Sequence, residues 1–295
     1  MRVLVQNWSQ YSVRLRFWTS RLLALAWASW LALQTLLGTR RLVDARGPVV
    51  SLTTYGKRVN KCHIAIESIG RGALRPSRLI LWLDEPSNDL PRTLRRLQRR
   101  GLEVLLTSDY GPHKKYYPYV ASSSSNVALV TADDDVMYPR KWLSDMAVAH
   151  EVSPDAVVAY RARRILPNGV DGFLPYADWP FSDVCGPVFV NFATGHSGVL
   201  YPASMQRALR ERGDAFLQTC KYADDVWLHN TAVRNGVGIR LVRGASVAFE
   251  TIPRTQKSAL KHANVDDGAN DRQINAVYSI DDFRAVNRCA WRITQ

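Results

Sequence analysis

From Val49 onward the chain repeats one pattern, in which a short run of consecutive apolar residues is followed by a longer amphipathic stretch. The runs are VVSLTTY from Val49, LILWL from Leu79, LEVLL from Leu102, VALVT from Val127 and AVVAY from Ala156. A strand with one wet face alternates apolar and polar positions, whereas a strand covered on both faces does not. These runs therefore predict buried, mostly parallel strands. Between them, residues 59–70 and 90–101 predict helices. Pro91 in a first turn and Gly101 just past the end are start and stop signals, and RRLQRR from Arg95 reads as a solvated helix face. Alternation of this kind predicts an α/β fold with a mostly parallel central sheet flanked by helices.

Beyond Asp171 the sequence becomes rich in loops, with GVDGFLPYADWPFSDVCGP and then GHSGVLYPASM. A helix is expected after Pro202 and another over residues 225–235, ended by Gly236. Residues 47–242 read as one mixed domain, and residues 243–295 as a surface tail folding back over it.

Ahead of this pattern, residues 22–38 read LLALAWASWLALQTLLG without a charge, between Arg14, Arg16 and Arg21 on one side and Arg40 and Arg41 on the other. The stretch is marginal against the roughly 20 residues of a spanning helix, and Trp18, Trp27 and Trp30 are spread along it. Segment 1–46 is expected to carry a membrane-associated helix lying at the headgroup level. A spanning anchor, a cleaved signal peptide and a helix buried against the domain are the alternatives.

Charge sharpens this picture. The chain carries 39 Lys and Arg against 26 Asp and Glu, and residues 1–115 hold 20 of the cations but only 7 of the anions, so the whole excess of +13 sits there. An evenly basic chain would point to nucleic acid; an excess at one end fits a membrane surface or a phosphate-binding half better, which argues against nucleic acid as the partner. Cys62, Cys185, Cys220 and Cys289 are scattered, with no C-x-x-C pair, and reduced thiols are expected.

The sharpest chemical signal is VALVTADDDVMYP. A buried run ends in Thr131-Ala132 and delivers Asp133, Asp134 and Asp135 where ligands bind in open α/β sheets, outside the carboxyl ends of strands. Adjacent carboxylates repel one another unless a cation or donors neutralise them. Two apart at an extended strand end, Asp133 and Asp135 would point to one side and reach a single divalent cation, with Asp134 facing away. A solvated acidic turn before the Pro139 helix is the plainer alternative. Lys115 and Arg58, both expected in loops after strands, are the candidate cations for a phosphate, with Lys114 in reserve. Thr53, Thr54 and Tyr55 follow the first strand, where hydroxyls and a ring would suit a nucleoside, and Asp84 follows the second. The second acidic cluster, YADDVWL, opens a helix; one aspartate would suffice as a cap, and Asp224-Asp225 supplies two.

TADDDVMYP resembles the D-x-D segment of GT-A-type glycosyltransferases, and the chain as a whole resembles the bacterial family 2-like members. SLTTYGKR looks like their first-strand nucleotide loop, LILWLDE like the second strand, GPHKKYYP like a nucleotide-facing segment, and TGHSGVLYP and YADDVWL like acceptor-side and catalytic segments. The resemblance implies a GT-A fold and a metal-dependent transferase using a nucleotide-sugar donor and manganese or magnesium. Asp133 and Asp135 would hold the metal. Asp134, Asp84, Thr53, Thr54, Tyr55, Arg58 and Lys115 would bind the donor. Asp225 would be the base of an inverting reaction, with Asp224 on the acceptor, and Gly195, His196, Ser197, Gly198 and Trp179 would line the acceptor side. His262 is a remote candidate for a third metal ligand. A glycan or lipid-linked acceptor at the cytoplasmic face of the cell membrane fits the basic N-terminal segment. The rivals are a nucleotidyltransferase, whose glycine- and cation-rich loop is not matched by the single glycine of residues 51–58, and a non-catalytic membrane- or nucleic-acid-binding protein.

Overall fold

The structure, a computed structural model, describes residues 21–85, 90–255 and 268–294. Nine strands are described: β1 (Val49–Thr53), β2 (Arg78–Leu83), β3 (Leu102–Leu106), β4 (Leu129–Ala132), β5 (Val157–Ala159), β6 (Ala162–Arg164), β7 (Asn191–Ala193), β8 (Val199–Tyr201) and β9 (Ile239–Leu241). Seven form one sheet in the order β3-β2-β1-β4-β8-β5-β9, while β6 and β7 pair separately. All neighbours in the large sheet run parallel except at β8, which is antiparallel to both β4 and β5.

Helices cover both faces. They are α1 through residues 21–37, α2 (His63–Gly70), α3 (Arg92–Gln98), α4 (Tyr117–Ser122), α5 (Trp142–Val152), α6 (Ala203–Arg212), α7 (Phe216–Thr219), α8 (Asp224–Arg234), α9 (Ala269–Val277) and α10 (Ile280–Thr294). The consecutive apolar runs are explained by this cover. Val49, Ile80, Trp82, Leu129, Val157 and Val199 pack on one side with residues of α6 and α8–α10. Their chain neighbours Val50, Leu79, Leu81, Val130, Val158 and Leu200 pack on the other with residues of α2, α3 and α5. Each buried leucine or valine adds roughly 1.5–3 kcal/mol, so neither face of these strands can be made polar cheaply.

One expectation changes. The C-terminal stretch is no surface tail: Ile274, Val277, Tyr278, Phe283 and Val286 of its helical part belong to the main core. Asp282 accepts from Asn230 (3.0 Å) and from Arg234 on α8, which fixes α10 in place. The N-terminal helix α1 docks on the domain, burying Ala28 and Leu31 against Ile64, Ala65, Met137 and Ile252. Its opposite face exposes Leu22, Leu23, Leu25, Trp30, Leu33, Leu36 and Leu37. Among the described residues no helix is long and apolar enough to cross a membrane; Arg14, Arg16 and Trp18 lie outside the described residues.

A buried ionic knot fastens α1 to the sheet layer. Glu67 on α2, fully buried, accepts two hydrogen bonds from Arg100 (2.7 and 3.0 Å) and one from Arg71 (2.9 Å). Arg100 also donates to the Arg40 carbonyl (2.7 Å) on the chain that leaves α1.

Candidate active site

β1 and β4 are parallel neighbours in the register Val49↔Leu129, so their carboxyl ends put Thr54 beside the acidic triplet. β8 runs the other way, which brings the loop that enters it, Gly195–Gly198, to the same edge. The short turn Gly111–Lys115 after β3 and the first turn of α8 close the remaining sides.

The triplet is a turn, not an extended strand end, so the expected alternation of its side chains does not hold. Asp134 and Asp135 both pair with the Arg58 guanidinium, at 3.1 Å for Asp134. The Thr54 hydroxyl donates to Asp134 at 2.5 Å. Asp133 turns toward Lys115 (3.8 Å) and is the most open of the three, its side chain keeping 27% of its surface exposed. Its backbone N–H donates to the Tyr138 hydroxyl at 2.7 Å. Burial, reinforced by Asp135 and Asp133 and opposed by Arg58 and Thr54, pushes the Asp134 carboxyl up to about 7.

Lys115 joins the two acidic clusters. Its ammonium lies 2.8 Å from Asp224 and 3.8 Å from Asp133. Burial works against its charge, but Asp224, Asp133 and Asp225 together hold its pKa well above the ordinary lysine value. Lys114 points elsewhere, pairing with Asp84 and Asp109. Asp225 accepts the Gly195 N–H at 3.0 Å, and its carboxyl is pushed up to about 7, by burial first and by the charge of Asp224 second. A general base acts deprotonated, and a pKa close to the working pH lets it be both deprotonated and basic enough to take the proton.

Gly195 is glycine for a spatial reason. A Cβ there would run into the Lys115 ammonium and come within 3.4 Å of Asp225. Gly195→Ala is therefore expected to displace Lys115 from Asp224 and lower the rate on the order of 10²-fold, as small misplacements of reacting groups do. A circular-dichroism melt matching wild type alongside that loss separates site damage from misfolding, and an unchanged rate removes Lys115 from the argument. Gly198 has φ +92°, and its Cβ would meet the Trp142 ring at 2.6 Å.

Other expected site residues have structural engagements. The Thr53 hydroxyl donates to the Trp82 carbonyl (3.1 Å), within the sheet. Ser197 accepts the Trp142 indole N–H on its carbonyl (2.8 Å) and the Phe249 N–H on its hydroxyl (3.1 Å). Trp179 is 1% exposed and donates to the Leu174 carbonyl, so it presents no ring face to a sugar; it packs with Tyr176 and Phe192 because the loop after β6 folds inward. Tyr55 is exposed at the mouth, under the Arg58 guanidinium (5.6 Å). His196 is half-buried on the β8 entry loop. His262 lies outside the described residues.

His113 was not singled out in the sequence, where GPHKKYYP drew attention only for its lysines. It is buried, its Nε2 donates to the Cys220 carbonyl and its Nδ1 accepts from the Tyr116 hydroxyl, both at 2.8 Å. Burial pushes it down to about 4, and its neutral ring stacks on Phe216 at 3.9 Å. It thereby ties the Lys115 turn to the segment leading into Asp224.

The fold is GT-A-like. The mannosyltransferase PcManGT from Pyrobaculum calidifontis, in complex with GDP-Man and Mn2+, superposes with a TM-score of 0.52 at 13% identity, covering 95% of this chain and 80% of its own. S. aureus TarS 1-349 gives 0.48 at 13% identity, covering 84% and 91%, and 4-diphosphocytidyl-2C-methyl-D-erythritol synthase from Anaerococcus prevotii gives 0.46 at 11%, covering 73% and 94%. No family model and no curated protein sequence matches the chain.

The acidic triplet offers only oxygen ligands to a divalent cation. The donor set suits it: oxygen-only carboxylates are what magnesium and manganese take, one or two at a time, alongside substrate phosphates. Among the described residues no group of three or more His, Cys, Asp or Glu is gathered in metal-holding geometry, and Arg58 occupies the Asp134–Asp135 side.

Proposed function

We propose that the protein is an inverting glycosyltransferase that moves a sugar from a nucleotide-sugar donor to a hydroxyl of a glycan or lipid-linked acceptor. The observation that carries this reading is Lys115, whose ammonium joins the acidic triplet to the Asp224-Asp225 pair across one edge of the sheet. The mannosyltransferase of similar fold holds GDP-Man and Mn2+, which supports the donor class and a divalent cation.

In this reading Asp133 and Asp135 would hold manganese or magnesium, which would supply Lewis-acid stabilisation of charge on the departing diphosphate. Arg58 and Lys115 add fixed positive charge beside the same group. Tyr55 and Asp84 flank the nucleoside side. Asp225, oriented by the Gly195 N–H, takes the acceptor hydroxyl proton while the oxygen bonds to the anomeric carbon and the bond from that carbon to the diphosphate breaks. Asp224, held by Lys115, contacts the acceptor. The membrane surface is the second partner: the protein sits at its cytoplasmic face through the exposed leucine side of α1, where soluble nucleotide sugars are supplied.

Calorimetric titration with a panel of nucleoside diphosphates, with and without manganese, tests the reading. One nucleotide is expected to bind in a metal-dependent way, and the Asp133→Ala, Asp135→Ala double variant to lose it. Failure of every diphosphate to bind folded wild-type protein would overturn the proposal. Under turnover, release of nucleoside diphosphate rather than pyrophosphate separates sugar transfer from nucleotidyl transfer.

A further inference from the structure

A cavity of about 260 Å³ opens between α1 and the domain, lined among others by Trp27, Trp30, Arg40, Arg71, Arg140 and Tyr138. That is many times the roughly 10–15 Å³ one water needs. Arg71 is spoken for, donating to Glu67 and lying 4.8 Å over the Trp30 ring. Among the described residues neither Arg40 nor Arg140 is paired with a carboxylate. The Arg40 guanidinium is held below its ordinary pKa, by partial burial first and then by Arg75, Arg71 and Arg140, which shows how closely these like charges are gathered. Glu67 offsets part of this repulsion but is already engaged by Arg71 and Arg100, so Arg40 and Arg140 face the cavity without a carboxylate of their own.

The second observation is the outer face of α1. A helix docked on a soluble domain turns polar residues outward. Here the outward positions from Leu22 to Leu37 are leucine, alanine and Trp30, with Ser29 the one polar side chain among them. The apolar face and the arginine-lined cavity adjoin along α1, with two tryptophans between them. Headgroup phosphate above acyl chains is the ligand with that layout.

We propose that this cavity seats the phosphate of an anionic lipid headgroup while the outer face of α1 lies among the acyl chains beneath it. The proposal rests on the membrane placement given above and adds a defined lipid site to it. Tyr138 lines the seat, and its hydroxyl accepts the Asp133 N–H, so the lipid surface lies one side chain from the acidic triplet.

Flotation of the full chain with phosphatidylcholine vesicles, with and without phosphatidylglycerol, tests the seat. Wild type is expected to bind the anionic vesicles, and the Arg40→Gln, Arg140→Gln variant to bind them about thirtyfold more weakly, at the usual worth of two cations near an anionic surface. Arg207→Gln, Arg288→Gln removes the same charge from exposed positions on α6 and α10, which pack on the other side of the sheet, and is expected to bind as wild type does. Leu33→Ser, Leu37→Ser is expected to lose tenfold or more on both vesicle types. Equal weakening in the two arginine variants would overturn the seat and leave only bulk charge. A wild type that floats with no vesicle would overturn the membrane placement itself, while the nucleotide titration stands or falls separately.

Discussion

Asp225→Asn is expected to lower turnover by about 10²–10⁴-fold, the usual worth of a positioned general base, with nucleoside diphosphate affinity unchanged. Asparagine keeps an oxygen to accept the Gly195 N–H, so the loop entering β8 stays in place and the loss falls on proton removal. The wild-type rate should also carry a pH signature. Asp225 is raised to about 7 by burial and then by Asp224, and it works only when deprotonated. The rate therefore climbs as pH rises toward and through neutrality and levels off above it, and this step disappears from the residual rate of the variant. A steady-state profile from pH 5 to 9 checks both. Full turnover in the variant would remove Asp225 from catalysis and leave inversion without its base.

Glu67→Ala is expected to cost about 3–5 kcal/mol of stability, the range found when one member of a buried ion pair is removed. Glu67 is fully buried and Arg100 is 7% exposed, so the guanidinium left behind has neither a carboxylate nor water to replace it. At about 2–4 °C per kcal/mol for a domain of this size, the melting midpoint falls by roughly 10 °C. Replacing Glu67 together with its more buried partner, Glu67→Leu with Arg100→Met, should cost less than the single change, because the arginine that remains, Arg71, keeps 22% of its side chain exposed and reaches water. Calorimetric melts of the three proteins decide it, and a single variant as stable as wild type would mean that the knot contributes nothing.

The sheet was largely legible because β1 to β5 are covered on both faces, and a doubly buried strand writes an unbroken apolar run. β6 to β9 were not read. Each is three residues long and, unlike the equally short β5, which lies within the apolar run 156–160, none sits in an unbroken apolar run of that length; β8 lies inside a glycine-rich segment that looks like loop. α10 was missed for another reason: Phe283 and Val286 find partners on α8 and the loop after β6, more than fifty residues away, and a charged amphipathic helix with unknown partners resembles a surface one.

The site divides in the same way. Both acidic clusters stood out, since adjacent carboxylates need an explanation that spacing alone can raise. What spacing left open was direction: Lys114 and Lys115 are neighbours, yet one serves Asp84 and the other Asp224. The turn at Asp133–Asp135 likewise defeated an argument built on strand alternation. Glu67 in HIAIESIG gave no sign of its two arginine partners, which are brought to it from α3 and from the end of its own helix.

The reversal of β8 has a practical consequence. Because its entry meets the carboxyl ends of the parallel strands, the chemistry gathers at one end of the molecule, and the other end is left with short, wet connections such as Ser123–Asn126 ahead of β4 and Ser153–Asp155 ahead of β5. Those are the places for an epitope tag, a fluorophore or a surface tether. A protein immobilised through Ser124 would keep its working end facing solution.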